Sequence, residues 1–187
     1  MSWTAIIPFN FGRACKTRLA DELDEAERAA LALKMAEHVV AQLRAVPQIG
    51  RVVMVAPEQP PLDIDHWQQD EGRGLNAELA AARAAHAPGE VLIIHADLPF
   101  LQGGDIAALL DAAHTSGAAM APDRAGTGTN AIALADGRAF VPAFGVDSQA
   151  RHRAALPDAA IVERTGLGFD IDQPECLDLA RQMGMEY

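Results

Sequence analysis

The stretch Val91-Leu92-Ile93-Ile94-His95-Ala96-Asp97-Leu98-Pro99-Phe100-Leu101 decides the fold. Its opening run is apolar and rich in β-branched residues, which predicts a short strand buried on both faces. Pro88-Gly89 leads into it, and Pro99 stops further pairing. In an open parallel sheet, ligands gather just beyond the carboxyl ends of the strands, so Asp97 stands where chemistry is expected. An aspartate after a strand also caps helices. The rest of the chain has to choose between the two.

Working outward, the order of elements supports the first reading. Upstream, Thr4 to Phe9 reads as a strand closed by Pro8. Asp24 with Glu27 forms a capping-box pattern for a helix from Glu25 to Arg44. Leu31, Met35, Val39 and Leu43 recur along it at helical spacing. A second strand, Arg51 to Ala56, precedes a polar, proline-bearing loop from Pro57 to Gly72, and an alanine-rich helix follows. Downstream come a helix from Asp105 to Thr115 and a strand from Ala118 to Pro122. This alternation predicts parallel strands with right-handed crossovers and helices on both faces. Then the pattern changes: A-I-A-L, residues 131–134, gives another strand with no room for a helix before it. Ser148 is read as the N-cap of a helix to Leu156. Short strands are predicted at Ala160 to Val162 and Gly168 to Ile171, and Pro174 starts a final helix.

The 187 residues, half of them hydrophobic, are best read as one domain spanning 1–187. A net charge of −11 argues against nucleic acid and against an anionic membrane surface as partners. Cys15 and Cys176 show neither metal-type nor disulfide-type spacing. The N-terminus lacks the pattern of a secretion signal, and no apolar run reaches membrane-spanning length. A reduced, cytoplasmic protein is the expectation, with a homodimer left open.

Lysine occurs only at positions 16 and 34, so the loop after the first strand is notable for gathering Arg13, Lys16 and Arg18 beside Gly12. Cations with free backbone N–H groups suit a polyphosphate. A solvated surface loop would have the same composition. Gly72-Arg73-Gly74-Leu75-Asn76-Ala77 and Gly126-Thr127-Gly128-Thr129-Asn130-Ala131 imitate a dinucleotide fingerprint, but neither lies between a strand and a helix. Asp170 and Asp172 would share one side of an extended segment. With Asp97 they make a hard-oxygen set suited to Mg²⁺ and phosphate, although a pair of capping acids before Pro174 fits as well. Three such acids alone would repel and raise one another's pKa. His95 is read as packing beside its strand, and His152 as either a phosphate contact or a surface histidine on its helix.

Six segments together resemble the guanylyltransferases that make the precursor of the deazaflavin coenzyme F-420. They are residues 7–19 (I-P-F-N-F-G-R-A-C-K-T-R-L), 72–79 (G-R-G-L-N-A-E-L), 95–101 (H-A-D-L-P-F-L), 122–134 (P-D-R-A-G-T-G-T-N-A-I-A-L), 140–152 (F-V-P-A-F-G-V-D-S-Q-A-R-H) and 169–174 (F-D-I-D-Q-P). Members of that family use 2-phospho-L-lactate, phosphoenolpyruvate or 3-phosphoglycerate. The resemblance implies an α/β, three-layer fold with a mostly parallel mixed sheet, like the glycosyltransferase-A nucleotidyltransferases. It implies GTP as co-substrate and Mg²⁺ held by Asp97, Asp170 and Asp172. By the same resemblance, Pro8, Gly12, Arg13, Lys16, Arg18, Gly74 and Asn76 lie along the nucleotide. Asp97, Lys16 and Arg18 would act in catalysis, and Thr129, Gly145 and Ser148 would bind the acceptor. The chain departs from the family at Asn10, where lysine is common. Two alternatives stand beside this reading: a nucleotidyltransferase for another acceptor, such as the molybdenum cofactor, and a catalytically silent nucleotide-binding module.

Overall fold

The computed structural model describes residues 2–185. The elements run β1 (Trp3–Pro8), α1 (Glu25–Arg44), β2 (Ile49–Ala56), β3 (His66–Gln69), α2 (Leu75–His86), β4 (Val91–Ile94) and α3 (Gly103–Ser116). They continue with β5 (Ala118–Pro122), β6 (Thr129–Leu134), α4 (Ser148–Ala155), β7 (Ala160–Ile161), α5 (Thr165–Gly168) and α6 (Pro174–Gln182). The strands form one seven-stranded sheet in the order β3-β2-β1-β4-β6-β5-β7. β6 runs antiparallel to both of its neighbours, β4 and β5, and the other pairings are parallel. The sheet is therefore mostly parallel and mixed, as the family resemblance implies.

Alternation along the strands divides the core into two layers. Ala5, Ile7, Met54, Leu92, Ile94, Ala119 and Ala133 face one way, against α1 and α3. Ile6, Val53, Val55, Ile93, Met120 and Ile132 face the other, against Leu79 and Ala82 of α2. Such two-sided burial is why these strands read as continuous apolar runs. α1 opens where its sequence predicts. The Asp24 carboxylate accepts from the Glu27 N–H at 2.8 Å, and the Glu27 carboxylate accepts from the Asp24 N–H at 2.8 Å. Its apolar stripe of Leu31, Met35, Val39 and Leu43 is buried.

β6 carries an irregularity of consequence. Pro122 of β5 faces Thr129 while Ala121 faces Ala131, so Asn130 is an extra residue on the β6 side. A bulge of this kind re-aims the side chains around it. Thr129 turns toward α4, where its hydroxyl meets His152, and Asn130 turns to the other face, where it bonds the Leu167 carbonyl.

Three predicted elements need correction. The loop from Pro57 to Gly72 contains β3, which pairs with β2 on one side only and is the sheet's edge. Its exposed ends and half-buried centre leave no period in the sequence. The strand predicted at Gly168 to Ile171 is absent; α5 ends at Gly168, and Ile171 offers only its N–H to the Asp97 carbonyl, at 3.3 Å. A Cβ on Gly166 would stand 2.6 Å from the Phe100 carbonyl oxygen, so this turn packs directly onto that peptide. The N-cap of α4 is Asp147, not Ser148, and it holds a left-handed φ of 54°.

Candidate active site

The carboxyl ends of β1 and β4 open onto a cavity of about 410 Å³. Its wall includes Pro8, Asn10, Arg13, Lys16, Gly74, Glu78, His95, Asp97 and Asp172. Most of the nucleotide-side residues expected from the sequence are thus gathered in one place. Gly12, Arg18 and Asn76 are the exceptions. Gly12 lines a neighbouring hollow, where a Cβ would press to 2.6 Å against the Glu58 side chain. Arg18 is exposed, with Nη1 4.0 Å from the Asp172 carboxylate.

Lys16 is the centre of charge. Its ammonium donates to Asp97 Oδ2 at 2.5 Å and to Asp172 Oδ1 at 2.7 Å. The backbone there is left-handed, with φ 49°, unusual for a residue with a side chain. Burial alone would lower the pKa of this ammonium, but the two carboxylates outweigh it and raise the pKa above its usual range. Burial would likewise push Asp97 up, yet the Lys16 charge wins and holds it below the ordinary carboxylate value. Asp97 Oδ1 is buried and has no partner.

The three acids do not share one position. Asp170 accepts from Asn130 Nδ2 at 3.2 Å. Burial raises its pKa, and the charges of Asp97 and Asp172 raise it further. Among the described residues no three acidic, histidine or cysteine side chains already surround a metal position. The donor set still fits a hard cation: a lysine ammonium sits between Asp97 and Asp172, and Asp97 keeps an unpartnered carboxylate oxygen.

The wall of the cavity at Gly74 is built by a buried carboxylate that the sequence did not reveal. Glu78, only 2% exposed, accepts the N–H groups of Glu71 and Arg73, each at 3.0 Å, and the Arg73 guanidinium at 2.8 Å. It shapes the turn in which Gly74, at φ 93°, enters α2. The available signal was its spacing: Glu78, Leu79 and Ala82 share the buried face of α2. Across the cavity mouth, Arg13 Nη1 donates to Asp70 Oδ2 at 2.9 Å. His95 packs against the Phe144 ring, with centroids 5.2 Å apart, and also lines the cavity, where its Nε2 is buried without a partner.

Thr129, Gly145 and Ser148 come together at the start of α4, away from the cavity wall. Ser148 N–H donates to the Gly145 carbonyl at 3.1 Å, and Gln149 N–H to the Thr127 carbonyl at 3.1 Å. The Ser148 N–H is therefore engaged within the loop. His152 is fully buried, neither a surface group nor a phosphate contact. Its Nε2 accepts the Ala143 N–H at 3.0 Å, which leaves Nδ1–H to donate to Thr129 Oγ1 at 3.0 Å. Burial lowers its pKa to about 4. Asn76 does not line the cavity; its amide bonds the Phe144 peptide instead.

Comparison with known proteins bears on the family and the fold. The model of the family described as Guanylyl transferase CofC like matches residues 3–158. A phosphoenolpyruvate guanylyltransferase of Streptomyces coelicolor is 38% identical over 165 residues, covering 83% of this chain and 78% of its own. Another, of Sphaerobacter thermophilus, is 36% identical over 192 residues, covering 95% of this chain and 92% of its own. For the fold alone, a crystal structure from Desulfovibrio desulfuricans G20, given as a nucleotide-diphospho-sugar transferase, superposes with a TM-score of 0.77 at 16% identity, covering 98% of this chain and 89% of its own. The 2-C-methyl-D-erythritol 4-phosphate cytidylyltransferase of Thermus thermophilus gives a TM-score of 0.60 at 21% identity, covering 98% of each chain. Among the described residues no helix is long and apolar enough to cross a membrane. The chain belongs to the Guanylyl transferase CofC like family and is a nucleotidyltransferase.

Proposed function

We propose that this protein joins GMP, taken from GTP, to the phosphate of a small three-carbon phospho-acid, phosphoenolpyruvate first, in the biosynthesis of coenzyme F-420. 2-Phospho-L-lactate and 3-phosphoglycerate are the alternative acceptors. The observation that carries the reading is the clustering of Lys16, Asp97 and Asp172 beside the Gly74 turn. The relatives named as phosphoenolpyruvate guanylyltransferases support the choice of acceptor.

An oxygen of the acceptor phosphate attacks the α-phosphorus of GTP in line. The bond from that phosphorus to the oxygen bridging toward the β-phosphorus breaks, and pyrophosphate leaves with the electron pair. Little covalent work falls to the protein, so positioning and charge neutralisation carry the rate. Arg13, Lys16 and Arg18 bring positive charge to the triphosphate, and the turn held by Glu78 receives the nucleoside. Thr129 and the Gly145–Ser148 loop orient the acceptor. Asp97 and Asp172, with Asp170 beside them, would hold Mg²⁺, which when bound neutralises phosphate charge and polarises the reacting phosphorus.

The test is incubation with each nucleoside triphosphate, Mg²⁺ and a panel of phosphorylated small acids, with product masses read out. A GTP-dependent diphosphate product with phosphoenolpyruvate is expected. Pyrophosphate release with CTP and none with GTP would overturn the proposal.

A further inference from the structure

After β6 the chain leaves the sheet at Leu134, which pairs with Val91 at the start of β4, opposite the site. It must return to reach Gly145, and residues 137–144 do so with no regular structure. Backbone groups outside a ladder need other partners. Here side chains from α2 and α4 supply them. Arg83 donates to the carbonyls of Arg138 and Phe140. His152 accepts the Ala143 N–H, and Arg151 donates to the Val146 carbonyl.

Asn76 makes the most complete of these attachments. Phe144 N–H donates to Asn76 Oδ1 at 2.7 Å, and Asn76 Nδ2 donates to the Phe144 carbonyl at 3.1 Å. The backbone N–H can only donate, so the orientation of the amide is fixed by its partner. Both ends of the side chain are engaged by the Phe144 peptide. Asn76 also lies two residues beyond Gly74, which lines the nucleotide cavity, while Phe144 immediately precedes Gly145. One side chain thus ties the nucleoside turn to the opposite loop across 68 residues of sequence.

We propose that Asn76 is a positioning residue for the acceptor, acting through the Phe144 peptide to hold the Gly145 loop, and does not read the nucleoside. The inference rests on the function proposed above, in which Thr129, Gly145 and Ser148 receive the phospho-acid. A loop held in place before binding loses less freedom when the acceptor arrives. Loss of the clamp therefore weakens acceptor binding and leaves the nucleotide cavity as it was.

The test compares wild type with Asn76→Ala, a change at a half-buried helix position. The KM for phosphoenolpyruvate should rise at least tenfold, the KM for GTP should stay within twofold, and kcat at saturating acceptor should fall little. Amide hydrogen exchange at Phe144 should quicken at least tenfold in the variant. Asn76→Asp, which keeps the acceptor for the Phe144 N–H but loses the donor to its carbonyl, should fall between the two. A rise in the GTP KM matching that for phosphoenolpyruvate would overturn the inference, as would unchanged exchange at Phe144. Should wild type turn over no phospho-acid at all, the proposed function falls, and the exchange comparison still decides the clamp.

Discussion

The Lys16 ammonium lies 2.5 Å from Asp97 Oδ2, and Oδ1 of the same carboxylate is buried with no partner. One half of the carboxylate is neutralised by the chain itself, and the other half is held ready. Three bare acids would be relieved of repulsion by losing a charge. With Lys16 between two of them, the sign reverses.

Asp97→Asn should therefore lower the stability of the metal-free protein by about 2 kcal/mol, because a buried ammonium loses one of its two counter-charges. Turnover with GTP and phosphoenolpyruvate should fall to background. Melting curves without metal, paired with product formation, check both halves. A variant at least as stable as wild type would show that the ion pair contributes nothing.

Gly145 holds φ at 111°, a conformation that side chains rarely adopt. A Cβ there would find only Arg151 Nη2, at 3.6 Å, so the cost of Gly145→Val lies in the backbone and not in a clash. Strain of about 1–3 kcal/mol should move the loop off its native path. The KM for phosphoenolpyruvate should rise about tenfold, the rate equivalent of about 1.4 kcal/mol, while GTP binding is kept. Steady-state kinetics with each substrate varied in turn gives the answer, and an equal loss for GTP would count against this placement of the loop.

Acid should find His152. Its folded pKa is lowered to about 4 by burial, whereas in the unfolded chain it titrates near about 6.5. Between these values the unfolded chain binds a proton that the folded chain refuses. Stability is thus unaffected above pH of about 6.5 and falls as the pH drops toward 4, by about 3 kcal/mol in all. Protonation would also remove the acceptor for the Ala143 N–H. Urea unfolding of wild type and His152→Gln across this range should give curves that converge as the pH falls. A constant gap between them would refute the assignment.

How much could be read in the chain beforehand follows from what each feature depends on. α1 was legible because its capping pair and its apolar stripe are local, and the buried strand before Asp97 because both faces are covered. β3 was not, since a strand at the sheet edge needs no apolar period. The end of β4 was legible as the place of the site, yet the partner of Asp97 was not. Lys16 is 81 residues away in sequence, and only the fold brings the two together. The sequence suits Lys16 to phosphate, and the structure places it on carboxylates. Glu78 reads as one more surface acid until Arg73 and two peptide N–H groups are seen to close on it.

The extra residue at Asn130 bears on how this protein tolerates change in length. Because of it, Asn130 shares the face of its neighbour Ala131 and Thr129 takes the opposite one: Thr129 joins His152 of α4, and Asn130 steadies Asp170 beside the carboxylates. Deleting a single residue from this short stretch would restore regular alternation and exchange the two destinations. Such a chain would lose the contacts to His152 and to Asp170 together. The length of the segment between Asp123 and Ala131 thus sets which of its side chains meets α4 and which meets the carboxylates.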